Sequence, residues 1–112
     1  MNDFLQNLKN SPQSNSFEAT MAAIDQNYNF TPVEFTNGDL NNTENENNGS
    51  CKIFAFARMH DLTETQTLHC FGDYYRKDVL DNPDKTDHQN IRNFIKTGWS
   101  GIKFNSEPLT RK

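Results

Sequence analysis

Cys51-Lys52-Ile53-Phe54-Ala55-Phe56-Ala57 is the most apolar run in the chain, and its reading decides the fold. A strand here would put sheet at the centre of the molecule; a helix would put a rod there. Length and the two phenylalanines favour a buried strand, while the alanines and the continuation Arg58-Met59-His60 keep a helix open. On a strand, Cys51 and Lys52 face opposite sides, so Lys52 points to solvent or into a polar cavity.

On the N-terminal side, Asn41 to Asn48 is almost all Asn, Glu and Thr and runs into Gly49-Ser50. Residues 41–50 are expected to be a mobile loop. Amides and carboxylates suit a hard cation, but no spacing matches a calcium loop, and no metal site is assigned. Phe30-Thr31-Pro32-Val33-Glu34-Phe35-Thr36 reads as an edge strand or extended segment, because Pro32 cannot donate to a ladder on both sides. Asn37-Gly38 is a turn. Earlier still, Phe17, Met21, Ile24 and Tyr28 make one apolar stripe, predicting a helix over 16–28 capped by Asn15 with Glu18. Phe4, Leu5 and Leu8 predict a short helix over 3–9, stopped by Ser11-Pro12.

On the C-terminal side, Thr63 caps a helix with Gln66 as its partner, and Leu68, Phe71 and Tyr75 form the apolar face, with Gly72 allowing close packing. After the turn Asn82-Pro83-Asp84, Thr86 and Gln89 repeat the capping pattern, and Asp87 sits where the helix dipole favours a negative charge. Ile91, Phe94 and Ile95 are the expected inward face, and Gly98 the stop. Ile102-Lys103-Phe104 alternates as a last strand, and 105–112 reads as a loose tail. Together these elements predict a mixed α/β fold spanning residues 1–112. It is a single compact domain of about four helices packed on a small sheet from the Phe30, Cys51 and Ile102 regions, open or barrel-like.

The size fits one domain with a real core: hydrophobic residues are only 33% of the 112, but nine Phe, three Tyr and one Trp supply large buried area. Net charge is −4, distributed unevenly. Residues 1–84 hold five Lys or Arg against thirteen Asp or Glu, and residues 85–112 hold six against two. The acidic part argues against nucleic-acid and membrane-surface partners; the basic part suits a small anionic ligand or the protein's own acidic face. Cys51 and Cys70 make no disulfide framework and fit a reduced, cytosolic protein. There is no membrane-spanning run and no Sec-type signal, so any export is expected to need no cleaved hydrophobic leader.

The polar stretch Thr86-Asp87-His88-Gln89-Asn90-Ile91-Arg92-Asn93 is the leading candidate site. A helix start presents free N–H groups to an anion, and His88 and Arg92 stand within a turn of it. Lys52, Asp87, His88, Asn90 and Arg92 form the candidate ligand-binding set if Lys52 shares their cavity. A thiolate triad of Cys51, His88 and Asp87 requires Cys51 to meet His88, and an inert core thiol is the simpler reading. The three histidines lack metal-ligand spacing, no cofactor is expected, and no catalytic residue is assigned. Tyr74-Tyr75-Arg76-Lys77 pairs aromatics with charge, as in nucleobase stacking, but Asp73 and Asp78 flank it, and the reading taken is Tyr75 in the core with Arg76 on a carboxylate.

Several strings resemble the HopJ type III effector family. They are Asn37-Gly38-Asp39-Leu40; Asn47-Asn48-Gly49-Ser50 running on through Cys51–Ala57; Cys70-Phe71-Gly72-Asp73-Tyr74-Tyr75-Arg76; Asn82 through Phe94; and Gly98-Trp99-Ser100-Gly101-Ile102-Lys103-Phe104. Lys85 departs from the pattern, where the family usually has Gly. The resemblance implies a small bacterial α/β protein, a candidate substrate of type III secretion delivered into a host cell. A host protein or the secretion machinery would then be its partner. It brings no catalytic residues to carry over.

Overall fold

The computed structural model describes all residues, Met1–Lys112. The decisive run is helical: α3 spans Asn48–Met59, and Ile53, Phe54, Phe56 and Ala57 are fully buried on it. The strand expectation for Cys51–Ala57 is thereby overturned. A run apolar on every side is what a helix at the centre of a core requires, and local pattern cannot tell it from a buried strand. Phe54 stands at the middle, with its ring 5.0 Å from Phe94, 5.6 Å from Phe71 and 6.2 Å from Phe35. Burying such a ring is worth about 2–3 kcal/mol.

Around α3 pack α1 (Asn2–Asn10), α2 (Phe17–Asn27) and α5 (Gln89–Thr97), with the six-residue α4 (Glu64–His69) between. Four principal helices and two small open antiparallel sheets make one mixed α/β domain. In the first sheet β1 (Tyr28–Phe30) pairs with β5 (Leu109–Arg111). In the second, β2 (Phe35–Asn37) lies between β3 (Leu40–Asn42) and β4 (Ile102–Phe104). Pro32 falls in the link between β1 and β2, which is how Phe35 comes to occupy a central strand. Asn37-Gly38 makes the expected turn, with Gly38 at φ +62°, and closes the β2–β3 hairpin.

Four further expectations change. The expected loop at 41–50 shrinks to 43–47, because β3 takes Asn41 and Asn42 and α3 begins at Asn48. Residues 105–112 are no loose tail: Leu109 is buried, Thr31 N–H donates to the Pro108 carbonyl at 2.8 Å, and Lys112 N–H donates to Asn27 at 3.2 Å. Ser16, not Asn15, caps α2, its hydroxyl accepting from Ala19 N–H at 3.0 Å. The face of Leu68, Phe71 and Tyr75 is not one helix. α4 ends at His69, Gly72 turns the chain at φ +63°, and a π-helical turn covers Tyr74–Val79. A Cβ on Gly72 would lie 2.6 Å from the Phe17 backbone nitrogen, so the close packing expected of it is present. The Thr63–Gln66 capping box forms as read.

Candidate functional site

The stretch Thr86–Asn93 divides where α5 begins. Thr86 and Gln89 form no capping box: Gln89 Nε2 donates to the Thr86 carbonyl, and the residue at the helix start is His88, in the left-handed region at φ 51°. Asp87 therefore lies before the helix rather than in its first turn. Its carboxylate accepts from Arg92 Nη2 at 2.8 Å, which holds its pKa below the usual carboxylate range. Arg92 also donates through Nε to the Asp87 carbonyl at 2.6 Å and through Nη1 to Pro83 at 3.4 Å. Arg92 is thus a staple fastening residues 83–87 onto α5. Ile95 is exposed, and the inward face is Ile91, Phe94, Asn90 and Asn93.

Asn90 enters a buried amide network. Its Nδ2 donates to Asn42 Oδ1 at 2.9 Å, and Asn42 Nδ2 returns a bond to Asn90 Oδ1 at 3.1 Å. Asn37 Nδ2 donates to the Asn90 carbonyl at 2.7 Å, and Asn93 Nδ2 donates to the Asn37 carbonyl at 3.0 Å. Asn47, the residue preceding α3, donates to Asn42 Oδ1 at 2.7 Å. Asn47 is itself left-handed, at φ 56°. Through Asn42, the network binds the start of α3 to the start of α5.

Those two starts share one cleft of about 480 Å³. Gly49 and Ser50 from α3, and Gln89 and Asn90 from α5, line it on the polar side; Phe17, Tyr74, Phe71 and Leu40 line the apolar side. Neither helix start has a side-chain cap. The N–H groups of Asn48, Gly49, Ser50, Gln89 and Asn90 meet no acceptor in the protein. Gly49 admits the Phe17 ring, whose edge would come within 3.0 Å of a Cβ there. His88 forms one rim: Nε2 lies 3.2 Å from Asp78 Oδ2, and the ring lies 5.3 Å from Tyr74, whose own ring meets Phe17 at 5.2 Å. No carboxylate lines the cleft.

Of the five residues proposed from sequence, the cleft takes His88 and Asn90. Asp87 and Arg92 pair beside it. Lys52 is elsewhere: on α3 it reaches Asp25 at 2.9 Å and stands 5.0 Å over the Phe30 ring. The thiol reading does not assemble. Cys51 is buried, and burial pushes its pKa up to about 11. Cys70, deeper still, is pushed up to about 12. His88 hydrogen-bonds Asp78 rather than a thiol, and no three His, Cys, Asp or Glu side chains converge as metal ligands. Arg76 is occupied structurally, donating to the Pro12 carbonyl at 3.2 Å and to the Asn15 carbonyl, with His69 Nδ1 at 3.0 Å. Gly49, Ser50, Tyr74 and Phe17 were missed as site residues. The signal for the first two was Asn47-Asn48-Gly49-Ser50 directly before an apolar run, a helix-start pattern once that run is helical.

The model of the family described as HopJ type III effector protein matches residues 1–109. The chain belongs to that family. Among solved structures, the crystal structure of the unknown-function protein VPA0580 is similar at TM-score 0.99 and 55% identity, covering 100% of this chain and 93% of that one. No curated protein matches the chain. Lys85, which departs from the family pattern, keeps a negative φ, so its turn needs no glycine. No helix of this HopJ protein is long and apolar enough to cross a membrane.

Proposed function

We propose that this HopJ protein is a binding domain for a small organic anion, held in the cleft between the starts of α3 and α5. One observation carries the reading: two uncapped helix starts, with five N–H groups lacking a protein acceptor, open on the same concavity. Each start carries a partial positive charge, and its free donors fit a carboxylate or phosphate oxygen. The aromatic wall of Phe17, Tyr74 and Phe71 accepts a flat apolar body attached to that group. The cleft is within the usual size range of small-molecule sites. His88 supplies a ring nitrogen at the rim.

The test is a titration of the 15N-labelled protein with phosphate, acetate, benzoate and phenyl phosphate. Benzoate and phenyl phosphate are expected to shift the Gly49, Ser50, Gln89 and Asn90 amides at lower concentration than the bare anions do. Shifts scattered over surface lysines, with these four amides unmoved, would overturn the reading.

Family membership supports a second reading, that the protein is delivered into a host cell by type III secretion and acts there on a host protein. A reporter fused to residues 1–30 is then expected to be translocated by a competent strain and retained by a secretion-deficient one. Retention by both counts against delivery and leaves the anion cleft untouched.

A further inference from the structure

A second concavity, of about 500 Å³, lies beside the cleft and shares Gln89 with it. Its floor is apolar, and the apolar side chains stand where water would be expected. Leu80 is 51% exposed and Ile95 47%. Both positions follow from local geometry. The π-helical turn bonds Leu80 N–H to the Tyr75 carbonyl, so Val79 turns inward and Leu80 outward. On α5, Phe94 is inward, and its neighbour Ile95 is rotated to the solvent side, where a soluble helix ordinarily places a polar residue. Pro83 adds a third apolar contact, and the segment carrying it is held by Arg92, so this wall needs no ordering on binding.

The rim is cationic. Lys85 and Lys96 line the groove and form no ion pair, and the charge of Arg92 is already matched by Asp87. No carboxylate lines the groove, although the chain as a whole carries −4. Positive charge is local here, over a span one short peptide covers. A phosphate backbone or a membrane surface would extend past it into the acidic remainder of the molecule and be repelled.

We infer that this groove docks an acidic amphipathic segment of a partner protein. Apolar side chains of one helical turn cover Leu80 and Ile95, and flanking Asp or Glu side chains pair with Lys85 and Lys96. The arrangement is the helix-in-groove mode of recognition, in which apolar anchors supply affinity and rim charges select the partner.

Three fluorescent amphipathic peptides test it, each with leucine at i, i+3, i+4 and i+7 and with Glu, Gln or Lys at the flanking positions. The Glu peptide is expected to bind about tenfold or more tightly than the Lys peptide, with the Gln peptide between. Lys85→Glu combined with Lys96→Glu should reverse that order. Ile95→Asp should abolish binding of all three; the site is exposed, so an unchanged thermal melt shows the fold intact. The Leu80, Lys85, Ile95 and Lys96 amides should shift on binding. The inference is overturned if no peptide binds, or if charge order is absent or survives the double lysine substitution. It is also overturned if phosphatidylglycerol vesicles or an oligonucleotide bind where the Glu peptide does not, or if sedimentation shows a dimer that Ile95→Asp dissolves.

Discussion

The chain begins its helices in two ways. α2 and α4 start closed: Ser16 accepts from Ala19 N–H, and Thr63 and Gln66 bond each other's backbones at 3.1 and 2.9 Å. α3 and α5 start open, each on a left-handed residue whose side chain caps nothing; α1 is uncapped too, on Met1, away from the cleft. A side-chain cap is worth about 1 kcal/mol, so leaving two starts open forgoes stability that the same sequence obtains elsewhere. The starts of α3 and α5, unlike that of α1, face one cleft and are tied together by side-chain amides. Closed starts serve the fold; open starts, held in register at a cost, are what a binding site needs.

Breaking the tie should have the largest effect. Asn42 is fully buried and stands between Asn47 and Asn90. Asn42→Ala leaves two amide donors, Asn47 Nδ2 and Asn90 Nδ2, without their acceptor. Asn47 is exposed and its amide can turn to water, so the cost falls on the buried Asn90; at about 1–3 kcal/mol for a buried unsatisfied group, a loss of about 2 kcal/mol is expected in urea unfolding. The anion-induced shifts at Gly49 and Ser50 should then uncouple from those at Gln89 and Asn90. A loss below about 1 kcal/mol would mean the network is not what joins the two starts.

How much of this was legible in the sequence depends on how local the cause is. The Thr63–Gln66 box is a four-residue signal and was readable, as was the turn at Asn37-Gly38. The family strings were legible too, being long and in order. Cys51–Ala57 was misread because nothing inside seven residues records that other elements will cover every side of it. Leu109 carries too little pattern to announce a strand whose partner, Phe30, lies at the other end of the chain. In the site, His88 and Asn90 were found from the density of polar groups at a helix start. Lys52 was assigned wrongly on the strand reading, which allowed it a polar cavity; the helix turns it toward Asp25. The amide network was out of reach, since Asn37 and Asn42 meet Asn90 across 53 and 48 residues of sequence.

Opening a closed start gives the next effect in size. Thr63→Ala removes the acceptor for Gln66 N–H on a six-residue helix. It should cost about 1 kcal/mol in the same unfolding measurement. Because α4 does not line the cleft, anion titrations should be unchanged. A change in anion affinity from this substitution would show that closed and open starts are not separate in function.

Closing an open start gives the smallest change in stability and the sharpest separation of the two roles. Ser50 is the third residue of α3, and its hydroxyl makes no hydrogen bond within the protein. Ser50→Asp places a permanent negative charge in the first turn, where it meets the helix dipole and the free N–H groups. The fold should gain about 0.5 kcal/mol. The same carboxylate occupies the place of an anionic ligand, so benzoate and phenyl phosphate should bind about tenfold more weakly. Ser50→Asn has nearly the same shape without the charge and should keep most of the binding. Stability rising while affinity falls, and only for the charged variant, is the signature of a helix start left open for a ligand. If Ser50→Asp raised stability and left the titrations unchanged, the open start of α3 would be a feature of the fold alone.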